Sequence, residues 1–133
     1  MILKENELEK LIEILPKQGI ILLVGTLASG KTTLVKQIAK FHGVDDDVSS
    51  PTFSVMQSYS GKFGVIYHYD IYQNGTDGLI KNGLVENFFE DGLHLVEWGD
   101  ENLEKILDKY ALKYIKITIN LEQNARKYEV SGA

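Results

Sequence analysis

The stretch GTLASGKTT, Gly25 to Thr33, carries glycine, glycine, lysine and threonine at the spacing G-x-x-x-x-G-K-T. That spacing suits a phosphate cradle: glycines let backbone N–H groups converge on phosphate oxygens, and the lysine neutralises the β- and γ-phosphates. The threonine hydroxyl binds Mg²⁺. Lys31 and Thr32 take those two roles, with Thr26, Ala28, Ser29, Gly30 and Thr33 as the remaining candidate nucleotide contacts. A helix beginning at Lys31 would add the positive end of its dipole. The predicted ligands are therefore ATP and Mg²⁺. A GTPase is disfavoured, because neither the N-K-x-D base-reading motif nor a D-x-x-G switch follows the cradle.

Hydrolysis further needs a carboxylate that holds the metal or its water, and a group that orients the attacking water. Open α/β sheets bind ligands at the carboxyl ends of their strands. GVIYHYD ends in Asp70 and LHLVEW carries Glu97 near its end, so these two acids are the catalytic and metal candidates beside Lys31 and Thr32. A turn aspartate and a solvated strand-end glutamate are the plainer explanations; each acid is ordinary alone, but two following apolar strands at one sheet edge are less so. His68 lies two residues before Asp70, on the same strand face by the period of two. It could serve the site or bond within the sheet. Trp98 could wall the site or simply pack. Ser50, Thr52 and Ser54 offer hydroxyls that either sense the γ-phosphate or satisfy their own backbone. His42, His68 and His94 show no zinc spacing.

These side chains need elements to hold them. Asn6 and Glu9 suit a capping box for an amphipathic helix bearing Leu8, Leu11, Ile12 and Leu15, ended by Pro16 and Gly19. IILLV, Ile20 to Val24, reads as a strand buried on both faces. KTTLVKQIAKF has helical spacing and Gly43 is its natural stop. SVMQSYS and FGVIYHYD read as a hairpin, QNGTDG as a loop, LVENFFEDG as a short helix and LHLVEW as a strand. ENLEKIL reads as a further helix, and YIKITINLEQNARKYEVSG as a terminal hairpin. The expected fold is α/β, a P-loop NTPase-like three-layer sandwich whose mostly parallel sheet has antiparallel edge strands or a hairpin.

The formal net charge is −5, from 14 basic and 19 acidic residues, which excludes the basic footprint of a stand-alone nucleic-acid binder. Zero cysteines exclude thiolate zinc sites and cysteine nucleophiles. The first residues read as a helix rather than a signal peptide, and no apolar run approaches the ~20 residues of a membrane span. A single cytoplasmic domain over residues 1–133 is expected. Arg126 is the one arginine, too few for the arginine-lined lid of a small-molecule or nucleotide kinase. That kinase, and a nucleotide-sensing module that does not hydrolyse, are the alternatives to an ATPase.

GTLASGKTT, VSSPTFSVMQSY, YHYDIY and LVEWGD follow one another in an order and spacing that resembles the TsaE family, also called YjeE, along essentially the whole chain. The resemblance implies a small, weak, Mg²⁺-dependent P-loop ATPase of tRNA N6-threonylcarbamoyladenosine (t6A37) synthesis. It would act on the TsaB–TsaD complex, resetting or regulating it, with tRNA met through that complex. TsaC makes the threonylcarbamoyl-adenylate, and TsaE does not itself transfer the group. By the same resemblance Lys31 is the phosphate lysine, Thr32 the Mg²⁺ hydroxyl and Thr52 part of a switch-like SPTF loop. Asp70 is the H-x-D acid, and Glu97 the E-W acid that binds Mg²⁺ directly or through water. The chain departs from the family's G-D-L-G-A-G-K-T at Thr26, Ala28 and Ser29, losing a carboxylate and a glycine. It departs again at Gln73, where the family has arginine.

Overall fold

The computed structural model describes residues 1–25, 30–45, 48, 55–72 and 75–132. Seven strands form one sheet: β1 (Ile2–Leu3), β2 (Gly19–Gly25), β3 (Met56–Gly61), β4 (Gly64–Asp70), β5 (Leu93–Glu97), β6 (Tyr114–Glu122) and β7 (Ala125–Ser131). Their order across the sheet is β1-β7-β6-β2-β5-β4-β3. β6, β2, β5 and β4 run parallel, while β3, β7 and β1 add antiparallel edges. Among the described residues four α-helices cover it: α1 (Glu9–Ile12), α2 (Lys31–Phe41), α3 (Gly75–Lys81) and α4 (Glu101–Lys109).

Strand β2 shows why there are three layers. Side chains alternate across a strand, so Ile21 and Leu23 join one core with Leu11 of α1 and with Leu34 and Ile38 of α2. Ile20 and Leu22 join the other, with Leu79 of α3 and with Leu103 and Leu107 of α4. Both faces are covered, which accounts for a strand apolar at every position. The α/β sandwich with a parallel centre and antiparallel edges agrees with the sequence-based expectation.

Three local details differ from it. The first turn closes earlier than Asn6, because the Lys4 N–H donates to Glu7 Oε1 at 3.0 Å. A 3₁₀ turn over Glu5–Glu7 then precedes the short α1. Residues 75–81 form helix α3 rather than a loop; Thr76 and Leu79 are buried, and the Thr76 hydroxyl donates to Asp100 Oδ1 at 2.6 Å. Tertiary burial there outweighs the turn propensity of Gly75, Asp77 and Gly78. The short helix expected in LVENFFEDG is a 3₁₀ helix, Val85–Phe89.

His94 is a structural histidine. The Glu90 carbonyl can only accept, so Nε2–H donates to it at 2.9 Å. Nδ1 then accepts from the Tyr69 hydroxyl at 2.7 Å, which in turn accepts from the Asn87 amide at 2.8 Å. Burial holds the His94 imidazole below the usual histidine range.

Gly92 opens β5 and so determines where Glu97 falls. Its φ is +141°, and a Cβ there would lie 2.6 Å from the Val65 carbonyl oxygen. Backbone strain and overpacking together predict a cost of roughly 2–5 kcal/mol for Gly92→Ala. Urea unfolding measures this, and an unchanged midpoint would contradict the placement.

Candidate active site

The candidate residues converge where the parallel strands end. Ile66, His68 and Asp70 alternate along one face of β4 and Leu93, Leu95 and Glu97 along β5, with Ile66, Leu93 and Leu95 in the core that α2 covers. Asp70 and Glu97 are register partners on adjacent strands. α2 starts beside them, since Gly30 adopts φ +104° and its carbonyl accepts from the Leu34 N–H at 2.9 Å. The left-handed backbone at Gly30 is one that glycine adopts freely.

Lys31 is 5% exposed, an unusual burial for lysine. Its ammonium donates to the Gly25 carbonyl at 3.0 Å and lies 3.8 Å from the centre of the Trp98 ring. Burial lowers the Lys31 pKa, and the charges of Glu97 and Asp70 oppose that shift. Burial likewise raises the Asp70 carboxyl; the Tyr72 N–H bond at 3.1 Å opposes the shift and the Glu97 charge adds to it. Two carboxylates on adjacent strands and a buried lysine thus come together where β4 and β5 end.

The Thr32 hydroxyl donates to Glu97 Oε1 at 2.8 Å, across 65 positions of sequence. Glu97 is 2% exposed, and its Oε2 lies 2.5 Å from His68 Nε2. Thr32 and Glu97 thus place two hard oxygen donors side by side. Mg²⁺ is commonly held by one or two carboxylates together with substrate phosphates and water. Among the described residues no group of three His, Cys, Asp or Glu side chains could hold a metal unaided. This donor set fits Mg²⁺ shared with a phosphate rather than a closed protein cage.

Trp98 answers the choice between walling and packing by doing both. Its φ is +68°, rare for a bulky residue, and its N–H donates to the Leu23 carbonyl at 3.0 Å. The ring contacts both the Lys31 ammonium and Tyr72, whose ring centre is 4.6 Å away. Such strain collects at functional sites and costs about 1–3 kcal/mol.

Thr33 faces a separate recess. A cavity of about 280 Å³ is lined by Gly30, Thr33, Glu5, Asn124, Arg126 and Tyr128, among others. A Cβ at Gly30 would lie 3.8 Å from Arg126 Nε, so the one arginine sits beside the start of α2. Sequence reasoning left Arg126 without a role, because 95 positions separate it from Lys31. Pairing of β7 with β6, and of β6 with β2, brings it there. Thr26, Ala28, Ser29 and Thr52 lie outside the described residues, as do Ser50, Ser54 and Gln73.

The family model described as "Threonylcarbamoyl adenosine biosynthesis protein TsaE" matches residues 4–128. A protein of Treponema pallidum named tRNA threonylcarbamoyladenosine biosynthesis protein TsaE is 32% identical over 88 residues, 65% of this chain and 64% of that one. The Rickettsia conorii protein of the same name is 33% identical over 123 residues, 89% of this chain and 67% of that one. These alignments span about two thirds of the relatives' lengths. The crystal structure of Bacillus subtilis YdiB superposes with a TM-score of 0.64 at 28% identity, covering 93% of this chain and 75% of that one. No helix among the described residues is long and apolar enough to cross a membrane.

Proposed function

Because this chain belongs to the TsaE family, named for threonylcarbamoyladenosine biosynthesis, we propose that it is the ATP-binding, weakly ATP-hydrolysing component of tRNA t6A37 modification, acting on the TsaB–TsaD complex. The observation that carries the ATPase reading is the bond from the Thr32 hydroxyl to Glu97. It joins the cradle to a carboxylate at the end of the adjacent strand, the juxtaposition that phosphoryl transfer to water requires.

In this reading the Lys31 ammonium exchanges the Gly25 carbonyl for the β- and γ-phosphates. Mg²⁺, when bound, neutralises charge on those phosphates. Thr32 and Glu97 are the residues that would hold it, Glu97 directly or through water. Asp70, its carboxyl raised by burial, is the acid left to accept a hydrogen bond from the attacking water. Water oxygen bonds to the γ-phosphorus and gives its proton to Asp70, while the bond from that phosphorus to the β–γ bridging oxygen breaks and ADP leaves with the electron pair. Among the described residues, the recess beside Thr33 offers space for the nucleoside, with Arg126 and Asn124 on its wall.

A kinase fits less well. Arg126 is the one arginine and it stands beside Gly30, leaving none for an acceptor lid. The proposed role in t6A37 synthesis is tested by ATP hydrolysis with the protein alone, then with purified TsaB–TsaD and tRNA. Stimulation of about 10-fold or more is the expected result if partners complete the site, by the scale of a supplied catalytic group. ATP binding without any hydrolysis, alone or with partners, would leave a passive sensor instead. An ATP-dependent phosphorylated product formed without partners would favour the kinase.

A further inference from the structure

Among the described residues His68 makes one side-chain hydrogen bond, and the partner is Glu97. The imidazole is fully buried in β4, with Nε2 2.5 Å from Glu97 Oε2. Nδ1 is buried too and has no partner among the described residues. A buried polar atom left unpaired costs about 1–3 kcal/mol. An apolar side chain at this position, beside Ile66 and Leu95 in the same core, would avoid that cost. Packing alone therefore gives no reason for histidine here, whereas the bond to Glu97 does.

That bond matters because of what Glu97 does with its other oxygen. Oε1 accepts from the Thr32 hydroxyl. A carboxylate gripped at one oxygen alone can turn about its last torsion, which has only a broad preference. Gripped at both, it presents one edge. Without the imidazole, Oε2 would lose that donor, with the Lys31 ammonium, which interacts electrostatically with Glu97, close by.

The geometry points to His68 as the positioning residue of Glu97: its Nε2–H holds Oε2, so that Oε1 stays beside the Thr32 hydroxyl on the metal side of the cradle. This inference rests on the proposed reading of Glu97 as the acid that serves Mg²⁺. Outer partners of this kind are worth roughly 10–100-fold in metal affinity.

The test is ADP binding by the full chain, measured by calorimetry in EDTA and across a Mg²⁺ series. Glutamine places an amide nitrogen near the position of Nε2, and asparagine falls short of it. His68→Asn should raise the half-saturating Mg²⁺ by roughly 10–100-fold and leave ADP affinity in EDTA within about 2-fold, while His68→Gln stays within about 3-fold of wild type throughout. Equal shifts in the two variants, or no shift in His68→Asn, would overturn the inference. If Glu97→Gln itself leaves the Mg²⁺ dependence unchanged, the reading of Glu97 fails, which is a separate failure. A second measurement needs no variant at position 68. In the nucleotide-free protein the His68 Nε2 proton should give a slowly exchanging, downfield NMR resonance that is lost in Glu97→Ala. Its persistence there would overturn the inference even if His68→Asn does not fold.

Discussion

Replacing Lys31 with alanine should remove measurable ATP binding. The ammonium is buried, which lowers its pKa, and the charges of Glu97 and Asp70 oppose that shift. Phosphates entering the cradle would meet that charge at close range, where ionised hydrogen bonds are strongest. Truncating one partner of such a buried charge pair costs about 2–5 kcal/mol, or roughly 30- to 5,000-fold in affinity. Lys31→Met separates charge from packing, since it keeps most of the stem against Trp98. Both variants should lose ATP to a similar degree in a calorimetric titration. Retained affinity in Lys31→Met would mean that the cradle holds phosphate by its backbone alone.

Glu97→Gln is expected to keep nucleotide and lose turnover, by about 100-fold or more on the scale of a positioned catalytic carboxylate. The amide fills the same space and still has an oxygen for His68, so the core should stand. What it lacks is the negative charge beside Thr32. Hydrolysis with TsaB–TsaD should fall, and the dependence on Mg²⁺ should weaken with it, while ADP affinity in EDTA remains. Glu97→Ala is the poorer probe for turnover, because it also removes the one side-chain partner that the buried His68 has among the described residues. Wild-type turnover in Glu97→Gln would move the essential carboxylate to Asp70, its register neighbour.

Much of this site is legible along the chain because its parts are local. The interval from Gly25 to Thr32 separates an apolar strand pattern from a helical one, and the cradle's chemistry depends only on that spacing. The apolar run before it and the helical period after it identify β2 and α2 without any distant contact. Asp70 and Glu97 are each legible as acids at strand ends. The helix over Gly75–Lys81 is not, since its glycines and aspartate suit a turn and only burial of Thr76 and Leu79 makes it helical.

What the sequence determined by itself, then, was the kind of chemistry: a phosphate cradle, two candidate acids, alternating strands and helices, and a series of motifs resembling one family. Tertiary structure decided who meets whom. Strand order put β5 between β2 and β4, so that Glu97 reaches Thr32 on one side and His68 on the other. It also turned Trp98 into a left-handed backbone against Lys31 and carried Arg126 to Gly30 through two strand pairings. The physical reason is range. Periodicity and capping act over a few residues, whereas the neighbour of a strand is chosen by burial of whole faces, which no short stretch of the chain contains.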